Sequence, residues 1–494
     1  MGIESGKGCG LAGQHVGTLM TYPDIEMLID GEWTGSATTE PVINPATGEE
    51  IGRVPHATTA QLDQALAATK KGFAEWSAAS PWARAQVMEK AARLLEERKE
   101  TIARYCTMEM GKPIGESLIE MDFVIGVTRW CAEEGRRAYG RLIPGRAPDH
   151  RYSAIVEPVG PSCAFVAWNF PGTNVIRKVA HALGAGCSLI VKPSEETPAT
   201  GMEIVRAFHD AGVPKGALQL VFGVPDNVSR HLIASPITKK VSFTGSVPVG
   251  KHLLRLSADT VTRATMELGG HAPVLVFEGA DIEATAKLVG GFKFRNAGQV
   301  CISPTRFLIE KPVYEPFVDA LTAVAESQNV GNGLDDGVTM GPLIAERRVD
   351  AMERFVGDAK DRGARITTGG QRMGNQGSFF NPTVLADMTD DAVMMNEEPF
   401  GPLAAVSACS GVDEMITRAN RLEVGLAAYA FGADRQTSDR LSQEIETGML
   451  GINTPMISLP ETPFGGIDES GYGHEGGIEG LAAYQRTRLI VERV

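Results

Sequence analysis

Cys187-Ser-Leu-Ile-Val191 is a short apolar run, and Lys192-Pro-Ser-Glu-Glu-Thr-Pro198 follows it without a break. The first reads as a buried strand; the second reads as its exit loop, with a helix starting at Thr197-Pro198. To either side, Ala164-Phe-Val-Ala167, Leu218-Gln-Leu-Val221 and Val241-Ser-Phe243 are further strands separated by amphipathic helical stretches. Such alternation requires crossover connections and predicts an α/β chain with a parallel, doubly wound sheet. A second cycle runs through Pro273-Val-Leu-Val-Phe277, Thr305-Arg-Phe-Leu-Ile309, Pro402-Leu-Ala-Ala-Val406 and Gly425-Leu-Ala-Ala-Tyr-Ala-Phe431. It predicts a second α/β domain, with Glu267-Leu-Gly-Gly270 near the junction, where ligands usually bind.

Upstream, Leu28-Ile-Asp-Gly-Glu-Trp33 reads as strand, turn, strand, and Asn44-Pro-Ala-Thr-Gly48 as a further turn. Two helices are expected next, with Val87, Ala91, Leu94, Leu95 and Ile102 at helical spacing and Gly111-Lys-Pro113 as the stop. The segments 152–156 and 488–494 have the pattern of edge strands, which need a partner within or between subunits.

At 494 residues and 43% hydrophobic, the chain exceeds one ordinary core, so two or three domains are expected. The net charge of -14 comes from residues mixed along the sequence, which disfavours nucleic acid and anionic membranes as partners. A small anionic substrate therefore needs a local basic pocket. Seven scattered cysteines without a Cys-x-x-Cys pair argue for reduced thiols in a cytoplasm-like compartment and against a disulfide framework or a metal site. The first 23 residues lack a signal core and read as a flexible extension, and no apolar run is long enough to span a membrane.

Several segments bear chemistry. Cys301 closes Phe294-Arg-Asn-Ala-Gly-Gln-Val-Cys301, and Glu267 lies upstream; a thiol and a water-activating carboxylate are the groups needed to form and hydrolyse a thioester. In Ala167-Trp-Asn-Phe-Pro171 the Asn169 amide can donate to an oxyanion, although an ordinary strand-exit turn reads the same. Lys192 and Glu195 suit the two sides of a ribose, or else a solvated loop. Phe243-Thr-Gly245-Ser246 opens a helix whose free N–H groups favour phosphate, but a helix merely capped by Ser246 would look alike. Glu398 and Phe400 stand in a turn-rich stretch that could hold a second ribose and a flat ring, or simply be solvated.

Taken together and in order, Trp168-Asn169, Lys192, Gly245-Ser246, Glu267-Leu-Gly-Gly270, Gly298-Gln-Val-Cys301 and Glu398-Pro-Phe400 resemble the NAD(P)-dependent aldehyde dehydrogenase superfamily over residues 28–494. The resemblance implies a Rossmann-like NAD-binding domain (residues 24–140 and 159–266), a second α/β catalytic domain (267–466) and a small β oligomerisation element (141–158 and 480–494) of a homodimer or homotetramer. It further implies Cys301 as nucleophile, Asn169 with the Cys301 N–H as oxyanion donors, Glu267 as water activator and Lys178 in proton relay. Trp168, Lys192, Glu195, Gly245 and Ser246 would hold the adenosine and diphosphate, and Glu398 and Phe400 the nicotinamide end. A carboxylate at position 195 accepts ribose hydroxyls and repels a 2′-phosphate, so NAD is expected over NADP.

Arg177 beside Lys178, Arg295 six residues before Cys301, and Ser458 match the residues with which succinate semialdehyde dehydrogenases bind their substrate's distal carboxylate. Arginine suits bidentate carboxylate recognition; structural pairing of both arginines with protein carboxylates is the competing reading. Ala264–Pro273, Lys293–Pro304 and Glu461–Gly466 also resemble bacterial α-ketoglutaric semialdehyde dehydrogenases, and Ser458 tilts the expectation toward succinate semialdehyde; a broad-specificity enzyme is a further alternative. Where some relatives carry a second cysteine two residues after the nucleophile, Ser303 stands here, so that local disulfide is unavailable. Retention of Cys301, Glu267 and Asn169 weighs against a non-catalytic structural homologue, and Glu267 against transfer of the acyl group to coenzyme A.

Overall fold

The apolar runs become the central strands of two parallel sheets in a computed structural model that describes residues 21–494. In the first sheet, the parallel strands Leu218–Leu220, Leu189–Lys192, Ser162–Phe165, Lys240–Thr244 and Arg263–Glu267 lie side by side in that order. The hairpin Met27–Ile29 and Glu32–Thr34 extends one edge antiparallel, and Gly471–Tyr472 extends the other. The chain thus returns, after the whole second sheet, to finish the first one.

Thr383–Ala386, Leu403–Cys409, Arg306–Glu310, Pro273–Val276, Ala427–Phe431 and Met449–Ile452 form the parallel body of the second sheet, with Arg365–Thr368 antiparallel at its edge. Each sheet has its own large apolar core. Parallel strands buried on both faces explain why their sequences read as unbroken apolar runs.

Register aligns the strand ends of the first sheet. Phe165 stands opposite both Lys192 and Phe243, and Thr244 opposite Glu267. The carboxyl ends therefore present Trp168-Asn169, Lys192, Gly245-Ser246 and Glu267 along one rim, the side where open α/β sheets bind ligands.

Where two helices were expected before Gly111, there are three: Thr59–Ala78, Pro81–Glu97 and Lys99–Met110, the last two broken at Arg98. Gly111, at φ +90, ends the third. The two edge strands expected at 152–156 and 488–494 pair with each other, His150–Pro158 against Gln485–Arg493, with Arg141–Ile143 alongside. Most of the extension expected over residues 1–23 lies outside the described residues. Tyr22, at its end, is instead anchored, its hydroxyl donating to Glu109 Oε2 at 2.5 Å. No helix among the described residues is long and apolar enough to cross a membrane.

Candidate active site

Glu267 closes its strand with its carboxyl 2% exposed and both oxygens without a hydrogen-bond partner among the described residues. It faces a cavity of about 820 Å³ whose wall also includes Asn169, Arg177, Arg295, Cys301, Glu398 and Ser458. Burial pushes the Glu267 carboxyl up to about 8, against the pull of Lys178 and Arg177. A carboxyl poised near neutrality in a cavity, free of protein partners, is equipped to take a proton from water.

Cys301 follows a turn built from unusual backbone. Asn296 and Ala297 both have φ of +51, a conformation that costs non-glycine residues energy, and Gly298 has φ +71. A side chain at Gly298 would meet the Gly401 carbonyl oxygen at 2.1 Å, so only glycine fits. Gln299 pins the turn by donating to the Asn296 carbonyl (3.1 Å) and accepting from the Ile344 N–H (2.9 Å). Of the described cysteines, Cys301 alone is not fully buried. Its thiol is nonetheless pushed up to about 12, chiefly by desolvation and next by Glu398, with Arg177 pulling it down.

The Asn169 side chain is oriented by two bonds. Its Oδ1 accepts from Asn174 Nδ2 (3.2 Å), and its Nδ2 donates to the Gln299 carbonyl (3.1 Å), which leaves a second amide hydrogen for a ligand. Lys178 is fully buried and donates to Thr244 Oγ1 (2.6 Å) and to Glu475, not to Glu267. Burial lowers its pKa, and Glu267 is the largest opposing influence. Glu475 also lines the cavity.

Of the arginines that line the cavity, neither Arg177 nor Arg295 has a carboxylate within ion-pair distance among the described residues, whereas Arg347 pairs with Glu196 (2.6 Å). Arg177, 4% exposed, donates only to Ser458 Oγ (2.9 Å) and lies over the Phe464 ring at 3.9 Å. Desolvation lowers its pKa to about 10. Arg295 makes no side-chain hydrogen bond and rests on the Phe292 ring at 4.3 Å. Among the described residues, neither arginine makes the ion pair with a carboxylate that the competing, structural reading requires.

The residues expected to hold a dinucleotide divide between two cavities. Trp168, Gly245, Ser246, Glu398 and Phe400 line the first; Glu195 lines a second of about 630 Å³, and Arg347 contributes to both. Ser246 stands at the N-terminus of the helix Val247–Ala258 without capping it, so its hydroxyl and the first N–H groups are free for a phosphate. Lys192 and Glu195 are ion-paired with each other. The Phe400 ring stands edge-on to Trp168 at 5.5 Å, and Arg348 donates to the Phe400 carbonyl (3.3 Å). Burial pushes the Glu398 carboxyl up to about 8. A dinucleotide fits this donor set, since the unused Ser246 hydroxyl and helix N–H donors share the cavity wall with the Cys301 thiol.

Sequence reasoning missed Glu475, Arg348 and a buried group formed by Lys112, Glu116 and Glu120. Glu116 and Glu120 are one turn apart on the helix Ile114–Glu134, a spacing that puts both on one face. Two acids on a face shared with the apolar Met121, Val124 and Val127 are the signal that could have found them.

Comparison with known proteins places these features in context. Residues 33–490 match the Aldehyde dehydrogenase family. A 4-(hydroxymethyl)benzenesulfonate dehydrogenase of Comamonas testosteroni is 41% identical, covering 94% of this chain and 97% of its own length. A 3-sulfolactaldehyde dehydrogenase of Pseudomonas putida is 39% identical, covering 94% and 96%. The crystal structure of succinate-semialdehyde dehydrogenase from Burkholderia pseudomallei is similar at a TM-score of 0.94 and 38% identity, covering 95% of this chain and 98% of that one.

Proposed function

The chain belongs to the aldehyde dehydrogenase family, and on that premise we propose that it oxidises an aldehyde bearing a distal anionic group, such as succinate semialdehyde, to the corresponding acid. The observation that carries the substrate class is the pair Arg177 and Arg295: two guanidiniums in the cavity of the thiol, neither held in an ion pair by a protein carboxylate among the described residues. A buried cation without a counter-ion is costly, and an anionic ligand removes that cost.

In this reading the Cys301 sulfur attacks the aldehyde carbon. The resulting oxyanion is met by the free Asn169 amide hydrogen and the Cys301 N–H. Ser246, Glu398 and Phe400 would hold a nicotinamide dinucleotide, which would take up the hydride lost as the thiohemiacetal becomes a thioester. Glu267 then takes a proton from water, which hydrolyses the thioester on Cys301. Lys178, which feels the charge of Glu267 and is ion-paired with Glu475, is the buried group to which that proton would be relayed.

Arg177→Ala is expected to weaken kcat/KM for an acidic semialdehyde by the worth of a charged hydrogen bond, about 1.5–3 kcal/mol. A neutral aldehyde of matched length should be little affected; equal losses for both would remove the carboxylate role. A panel of succinate, glutarate and α-ketoglutarate semialdehydes measures chain length. A sulfonate in place of the carboxylate is the second reading. The unused donors of Arg295 and the remaining donors of Arg177 leave room for a three-oxygen head group, and two relatives are named for sulfonated substrates.

NAD is the proposed cofactor, because the Glu195 carboxylate on the wall of the second cavity would accept ribose hydroxyls and repel a 2′-phosphate. Comparison of kcat/KM for both dinucleotides checks this, and a tenfold preference for NADP would reverse it. Leu142, Leu489 and Val491, more than half exposed on the small antiparallel sheet, support assembly of copies through that element.

A further inference from the structure

The helix Ile114–Glu134 contributes two acids that take no part in the chemistry above, yet each is tied to a different catalytic segment. Glu120, 3% exposed, pairs with the fully buried Lys112 at 2.7 Å. Its other oxygen accepts the Thr173 N–H (2.9 Å) in the first turn of the helix Pro171–Ala185. Lys112 in turn donates to the Asn169 carbonyl (2.9 Å) and lies over the Phe170 ring at 3.8 Å. Glu116 accepts the Asn296 N–H (2.9 Å), and the Asn296 side chain donates to the same Asn169 carbonyl (2.9 Å). That carbonyl is therefore gripped from two sides by groups fixed to one helix.

We infer that Lys112, Glu116 and Glu120 form a buried clamp that sets the oxyanion donor Asn169 against Cys301, as positioning residues for acylation. The inference rests on the roles proposed above for Asn169 and Cys301. Two physical reasons favour it. A buried ion pair contributes little net stability, so stability alone is a weak reason for placing Lys112 and Glu120 beside the reacting groups. The left-handed pair Asn296-Ala297, which leads to the nucleophile, persists only where its surroundings hold it, and Glu116 and the Asn169 carbonyl hold Asn296 from outside the turn that Gln299 closes from within. A donor and a nucleophile on separate loops need a shared rigid support, because a productive constellation tolerates only about 0.5 Å of error.

The test is the pre-steady-state burst of NADH from the full-length enzyme with NAD and butanal, a neutral aldehyde that keeps Arg177 and Arg295 out of the result. Lys112→Met should slow the burst by on the order of 10–10²-fold, the effect of misplacement by about 1 Å. Alkylation of Cys301 by iodoacetamide, which develops no oxyanion, should keep its rate. In an Asn169→Ala background the same change should add little, because the donor it positions is gone. Glu116→Ala leaves the Lys112–Glu120 pair whole and should slow the burst to a smaller extent. Glu116→Gln, which keeps an acceptor for the Asn296 N–H, should restore it. Losses that multiply in the Lys112→Met/Asn169→Ala enzyme would overturn the clamp, as would alkylation falling in parallel with the burst. An Asn169→Ala enzyme with an unaltered burst would overturn the oxyanion role itself, and the clamp with it.

Discussion

Cys301→Ala is expected to abolish aldehyde oxidation, lowering kcat by about 10⁴–10⁶-fold, as removal of a nucleophile does where no neighbouring group replaces it. No other described cysteine can substitute, because Cys106, Cys131, Cys163, Cys187 and Cys409 are buried away from the cavity. Mass spectrometry of protein quenched during turnover should find the acyl adduct on Cys301 of the parent and none on the variant. Pushed up to about 12 by burial and by Glu398, the Cys301 thiol is protonated at neutral pH, so attack must be coupled to loss of its proton. Activity persisting in the Cys301→Ala enzyme would end the covalent mechanism.

Glu267→Gln should separate the two halves of the reaction. The burst of NADH, about one per site, is expected to survive, while steady turnover falls by roughly 10²–10⁴-fold, the contribution of a general base. The parent enzyme should show the matching pH dependence. Glu267 must be ionised to take a proton from water, and burial places its folded-state value at about 8, so the deacylation rate should rise with pH through about 8 and level off above it. Glutamine does not titrate, so this limb should be missing from the variant. If the burst vanished together with turnover, Glu267 would be serving the thiol rather than the water.

The sequence disclosed what depends on short runs and concealed what depends on distant neighbours. The strand at Leu189–Lys192 was legible because a strand buried on both faces has to be an unbroken apolar run, and the strands flanking it repeat the pattern. Cys301, Glu267, Arg177, Arg295 and Ser458 line one cavity although they lie far apart in the chain, and it was resemblance, not periodicity, that grouped them. Glu475 stayed hidden because its surroundings, Gly473-His-Glu-Gly-Gly477, read as an exposed turn. Its burial comes from Lys178 and Ser242, on elements folded much earlier in the sequence. Thr383–Ala386 and Met449–Ile452 were missed, and their place in the sheet is set by the neighbouring strands with which they pair.

The late return of the chain to the first sheet has a consequence for biosynthesis. Glu267 lies on the strand that Gly471–Tyr472 completes, and Lys178 finds its carboxylate partner only at Glu475. A ribosome makes Cys301 and Glu267 long before it makes these residues. The nascent chain therefore carries Cys301, the proposed nucleophile, before the residues that complete the sheet at Glu267 and pair with Lys178 exist. For the same reason, a premature stop after Gly465 would damage the part of the protein that was synthesised first.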